Sequence, residues 1–194
     1  MSRVRISINA IAITALMLLC APASADVSGV MPMCDGCHGA DGRGGGDDTP
    51  VIAGLPDIVQ EDALFTYVDG DRKCTGQPMM CSMVSGLTED QIIELAAHYA
   101  AMPYASAEEE FDAALVDAGK AIHDRDCAIC HGADGPDDAG GAPLHGQRKA
   151  YLRYALERYA AGDRTQPAAK EKKLSALSSD DVEALLNYYA SYRN

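Results

Sequence analysis

The chain has 194 residues, seven cysteines and a formal net charge of −13. Its length allows one or two domains, and 47% hydrophobic with 23% charged residues is ordinary for a water-soluble globular protein. The acidic balance excludes a nucleic-acid binder that works by neutralising phosphates, and favours a basic protein partner or simply a well-solvated surface.

Residues 1–25 read as an export signal. Arg3 and Arg5 precede an uncharged apolar run, Ile11 to Leu19, and Ala23-Ser24-Ala25 forms an A-x-A cleavage site. The run is short for a membrane span, and no other segment is long and apolar enough to cross a bilayer. Cleavage would leave 14 basic and 29 acidic residues, a net charge of −15, and six cysteines. An even cysteine number suits an oxidising compartment, so the expected location is the periplasm.

The remaining chain is a duplication. Cys34-Asp35-Gly36-Cys37-His38-Gly39-Ala40-Asp41-Gly42 returns 93 residues later as Cys127-Ala128-Ile129-Cys130-His131-Gly132-Ala133-Asp134-Gly135. Gly70-Asp71-Arg72 returns as Gly162-Asp163-Arg164 at an offset of 92, and Leu87-Thr88-Glu89-Asp90 as Leu177-Ser178-Ser179-Asp180 at 90. The order is kept while the spacing drifts by three residues. This predicts two all-α domains in tandem, 26–105 and 106–194.

In chain order, glycine-rich loops follow each motif, at Gly42 to Gly46 and Asp137 to Gly141. Thr88 with Gln91 predicts a capping box opening a helix striped by Ile92, Leu95, Ala96 and Tyr99. Pro103 ends that helix. Phe111, Leu115, Ala118 and Ile122 recur at helical spacing before Cys127. A middle helix is expected from Tyr151 to Ala161, stopped by Gly162. Ser178 caps a last helix carrying Val182, Leu185, Leu186 and Tyr189. No alternating strand pattern stands out.

C-x-x-C-H is the attachment signature of c-type haem. Two thiols three positions apart on a helical turn can each add to a vinyl group of the porphyrin, and the adjacent histidine then ligates iron. Zinc would need further ligands at zinc-like spacing, and a thioredoxin-like site a βαβ context. Two copies therefore imply two covalent haems c, held by Cys34, Cys37, Cys127 and Cys130, with His38 and His131 as proximal axial ligands.

With these motifs, a Pro-containing loop (Pro50 to Gly54 and Pro143 to Gly146), a Met-bearing loop and a C-terminal helix, each half resembles a class I cytochrome c domain. The second half is also similar to the cytochrome subunit of flavocytochrome c sulfide dehydrogenase, through Phe111 to Gly119, His123-Asp124, Gly146-Gln147, Tyr151 to Ala155 and Glu171 to Lys173. That resemblance implies electron transfer from a flavoprotein partner that oxidises sulfide, with FAD on the partner, and onward to a small soluble cytochrome or a terminal oxidase. Two other functions stay open: a free dihaem carrier to an oxidase, and a haem enzyme acting on a sulfur compound at the second haem. No nucleophilic triad, paired catalytic carboxylates or phosphate loop is visible, so no catalytic residue is assigned.

Sixth ligands differ between the halves. Met79, Met80 and Met83 precede the last helix of the first half; family spacing favours Met80, with Met79 second. The second half contains no methionine, and an offset of 90 places Lys170 at the equivalent position. Lys170 as a neutral amine ligand stands against a solvated basic patch of Lys170, Lys172 and Lys173. His145 lies on the proximal side as an outside candidate, and His98 and His123 read as ordinary surface or helix histidines. Cys74 and Cys81 flank Met79 and Met80 without counterparts in the second half. In an oxidising compartment they are expected to form a disulfide that stiffens this loop.

Overall fold

A computed structural model describes residues 25–76, 78–133 and 141–193. The expected signal segment and most of the Asp137 to Gly141 loop lie outside these residues. Nine α-helices are described: α1 (Met31–His38), α2 (Asp57–Val68), α3 (Pro78–Val84), α4 (Glu89–Ala100), α5 (Ala113–Asp126), α6 (Ala128–His131), α7 (Lys149–Ala160), α8 (Ala168–Leu174) and α9 (Ser179–Ala190). Among the described residues there is no strand, only an isolated antiparallel bridge between Arg72 and Arg164. No described helix is long and apolar enough to cross a membrane.

The repeat seen in the sequence is a repeat of helices. Helices α2, α3 and α4 have 12, 7 and 12 residues, and so have α7, α8 and α9. The caps explain where the last helix of each half starts. Thr88 accepts from the N–H of Gln91, whose side chain returns to the Thr88 N–H; Ser178 and Asp181 do the same for α9.

The Asp181 carboxyl is held below its ordinary value of 3.8, first by the Ser178 N–H and then by the Ser178 hydroxyl. A depressed folded-state value gives stability that is present above pH 3.8 and lost as pH falls through the lower folded value. Thermal melts should therefore weaken on acidification through this range, and Asp181→Asn should flatten that dependence.

The halves differ at their front ends. In the second, α5 lies across α9, and Ile122, Leu185, Leu186, Tyr188 and Tyr189 form a core with Leu152 of α7. The crossing is tight at Gly119, where a Cβ would stand 2.1 Å from the Ala184 carbonyl oxygen. Gly119→Val should cost about 3 kcal/mol, the upper range for overpacking, measured by denaturant titration. The first half has no counterpart of this long helix among the described residues; Val27, Val30 and Met31 cover Leu95 and Tyr99 instead.

The halves meet along two seams. One is the Arg72–Arg164 bridge, where the Lys73 N–H donates to Asp163 O at 2.8 Å and the Thr165 N–H to Asp71 O at 3.3 Å. Tyr154 adds a bond from its hydroxyl to Thr75 O at 3.0 Å. The other seam runs under the loops that follow the C-x-x-C-H motifs. There Val51, Ala53 and Ala105 form a small apolar cluster and the Ala107 N–H donates to Gly146 O at 2.7 Å.

Candidate haem-binding site

Each motif ends a short helix at its histidine, and a glycine with positive φ (Gly39, +79°; Gly132, +77°) turns the chain away at once. This stop lets the following loop fold back beside the imidazole. His38 Nδ1 lies 3.0 Å from Pro50 O, and His131 Nδ1 2.7 Å from Ala142 O. A carbonyl can only accept, so Nδ1–H donates in both rings and Nε2 keeps its lone pair for a metal. Burial holds both histidines below the ordinary imidazole value, against the raising effect of these carbonyl bonds. Each ring is thus kept in the neutral form that iron ligation requires.

The two matched loops end on Gly54 and Gly146 but carry their prolines at different places. Gly54 and Gly146 are equivalent, since each N–H donates at 2.8 Å to the carbonyl of the equivalent tyrosine, Tyr99 or Tyr189. Counting back from them, Pro50 matches Ala142 and Val51 matches Pro143. The carbonyl that orients the ring is set by distance from this glycine, not by the proline.

His38 and His131 open into one continuous cavity of about 1040 Å³ shared by both halves. Cys34, Cys37, Met79, Met80 and Met83 line it in the first half; Lys170, Gln166 and Pro167 line it in the second. The four motif cysteines form no disulfide. Burial raises the Cys34 and Cys127 thiols above their ordinary value, so neither is an activated thiolate of the redox C-x-x-C kind.

Met80 and Lys170 occupy the same place in equivalent helices, the third residue of α3 and of α8. Met80 is half-buried and shares a helix face with the buried Val84, whereas Met79 is 57% exposed. The Lys170 ammonium stands 3.4 Å from the centre of the Tyr159 ring. Lys170 is half-buried and faces the cavity, whereas Lys172 and Lys173 are exposed, with Lys173 paired to Asp126. Cys74 and Cys81 are joined in a disulfide that closes the chain around Met79 and Met80.

His123 is not a surface residue. It is fully buried, with Nε2 2.6 Å from Gly132 O and Nδ1 3.0 Å from the Tyr189 hydroxyl. It ties α5 to the turn after the second motif. Its counterpart position in the first half is Val30, so the repeat gave no signal for this role. His145 is also buried, with Nε2 3.1 Å from the Tyr188 hydroxyl, and it does not line the cavity. His98 is half-buried, edge-on to Tyr99.

Sequence reasoning missed a cationic cluster in the cavity wall between the halves. Arg72 stacks on Tyr67 at 4.2 Å and Arg164 on Tyr159 at 4.4 Å, a symmetric pair. Arg72 also points at the Tyr151 hydroxyl, 3.5 Å away. Neither guanidinium has an ion pair with a carboxylate among the described residues. Tyr151 is half-buried; burial alone would raise its phenol, but the two arginines pull it down to about 8. The G-D-R repeat was visible in sequence, yet nothing local showed that its two copies meet.

Comparison with known proteins agrees with this geometry. A family model described as cytochrome c oxidase, cbb3-type, subunit III, matches residues 114–188. Cytochrome c-554(548) of Halomonas halodenitrificans is 35% identical over 66 residues, 34% of this chain and 80% of that protein. The structure of cytochrome c4 from Acidithiobacillus ferrooxidans superposes with a TM-score of 0.73 at 25% identity, covering 82% of this chain and 98% of that one. Thiosulfate dehydrogenase (TsdBA) from Marichromatium purpuratum gives a TM-score of 0.71 at 29% identity over 82% of this chain, but only 36% of its own.

The fold and the paired motifs define a class I cytochrome c. This chain belongs to that family, as a dihaem, two-domain member similar to cytochrome c4.

Proposed function

We propose that the chain is a periplasmic two-haem relay, with haem c bound through Cys34 and Cys37 in the first domain and through Cys127 and Cys130 in the second. The observation that carries this reading is the pair of histidines, His38 buried and His131 half-buried, each fixed by a backbone carbonyl through Nδ1 and each facing the same cavity. The donor set fits: four unpaired thiols, two neutral imidazoles and a half-buried thioether. Bound haem supplies one-electron chemistry, and the protein holds and tunes it. His38 and Met80 would be the axial ligands in the first domain, and His131 in the second. Arg72 and Arg164 would place positive charge beside the haem carboxylates.

Lys170 is the proposed sixth ligand of the second domain. The amine has to leave the Tyr159 ring and give up its proton to coordinate. Lys170→Ala should then change the electronic spectrum of one haem and leave the other as in wild type. An unchanged spectrum at both haems contradicts this ligation.

We place the relay with an enzyme that oxidises a sulfur compound. The sequence resemblance to the sulfide dehydrogenase cytochrome subunit, and the structural likeness to part of a thiosulfate dehydrogenase, support this. A flavoprotein sulfide dehydrogenase subunit carrying FAD would be the donor, and a small soluble cytochrome or terminal oxidase the acceptor. The likeness to cytochrome c4 over almost that protein's full length favours a second reading, a free carrier to an oxidase. Purification of the native protein at low salt separates them: near-equimolar flavin in the eluate supports the donor complex, and haem without flavin supports the free carrier.

A further inference from the structure

The two domains are not equivalent in how they hold their proximal histidines. Gln147 belongs to the second domain, in the loop just after Gly146. Its side chain reaches across the seam to Val51 of the first domain and is 4% exposed. The Val51 N–H donates to Gln147 Oε1 at 2.8 Å, and Gln147 Nε2 donates to Val51 O at 2.8 Å. A single amide thus pairs both polar groups of one residue, as a strand neighbour would. Gln147 Oε1 also lies 3.2 Å from the Arg148 N–H, and the Gln147 N–H bonds to Leu144 O at 3.2 Å. The clamp is therefore built into the second domain's own loop.

Val51 follows Pro50, whose carbonyl holds His38 Nδ1 at 3.0 Å. The neighbouring Arg148 side chain packs over Gly44, with Nε 3.1 Å from where a Cβ would be, and the Gly44 N–H bonds to the His38 carbonyl. Both backbone supports of His38 are thus covered by consecutive residues of the other domain.

The reverse clamp does not exist, and the sequence explains why. The counterpart of Gln147 is Leu55, which has no amide. The counterpart of Val51 is Pro143, which has no N–H to donate. The second domain's proximal loop could not accept such a clamp even if an amide were offered.

We propose that Gln147 is a positioning residue for the proximal ligand of the first haem, through which the second domain sets the first haem's reduction potential in one direction only. The inference rests on His38 being an axial ligand. A firm Nδ1–H bond to a carbonyl makes the imidazole a stronger donor and favours oxidised iron. Loosening the Pro50–Val51 strap weakens that bond and raises the potential of the first haem alone.

The test uses full-length holoprotein carrying Gln147→Met, which keeps length and removes both hydrogen bonds. A second variant, Val51→Pro, gives the first strap the residue found in the second. Ile92→Val, at a buried apolar residue of α4, controls for loss of stability. Redox titration and paramagnetic proton NMR are read together, with the imidazole signals assigned by contacts to Pro50 or to Ala142. Gln147→Met and Val51→Pro should raise one potential and shift the His38 signals, leaving the His131 signals and the other potential as in wild type. Ile92→Val should lower the melting temperature and move neither potential. Unchanged potentials in both strap variants, or equal movement of both haems, overturn the inference. Absence of any iron-shifted imidazole in contact with Pro50 overturns the ligand assignment and the inference together.

Discussion

Met80→Ala should lower the reduction potential of one haem by on the order of 0.1 V, a modest part of the roughly 0.8 V that axial ligation spans. Met80 sits one turn before Val84 on α3, and Val84 is 2% exposed, so this face of the helix turns inward. A thioether favours reduced iron, and losing it leaves water or a nitrogen donor that favours the oxidised form. The methionine-to-ferric-iron absorption band should vanish at the same time. Met79→Ala should leave both unchanged, since Met79 is 57% exposed on a different face. A drop in potential with Met79→Ala and none with Met80→Ala would reassign the ligand.

The second large effect concerns the disulfide around this helix. Cys74 and Cys81 are seven residues apart, with Cα atoms 6.0 Å from each other, and the Cys81 N–H points at Cys74 Sγ from 3.1 Å. Closing so small a loop removes chain entropy from the unfolded state worth about 2.5 kcal/mol. The Cys74→Ser, Cys81→Ser double variant should therefore unfold at lower denaturant by about that amount. A weak iron–thioether bond depends on its loop staying in place, so the methionine absorption band should disappear earlier in the titration than the secondary structure. Loss of both signals together, at the wild-type midpoint, would show that the disulfide is dispensable.

Much of the fold was legible because its signals are local. The two C-x-x-C-H motifs, the Thr88–Gln91 capping box and the Ser178 cap all follow from residues within a few positions of one another. The equivalence of Met80 and Lys170 followed from the drift in the repeat alone. What stayed hidden depends on the meeting of distant segments. Gln147 and Val51 are 96 residues apart, and a glutamine after a glycine looks like any loop residue. Arg72 and Arg164 are legible as copies, but their contact across the seam, with Tyr151 beside them, is a property of docking. His123 escaped because its partner in the repeat is Val30; its buried role belongs to α5, which the first half lacks among the described residues.

A two-haem relay requires two thioether-linked haems on each polypeptide. A pyridine haemochrome assay on protein matured in a host that attaches haem c, set against protein concentration from amino-acid analysis, measures this directly. Two haems per chain are expected, falling to one when Cys127 and Cys130 are replaced by alanine. One haem or none in the unaltered protein would contradict the account.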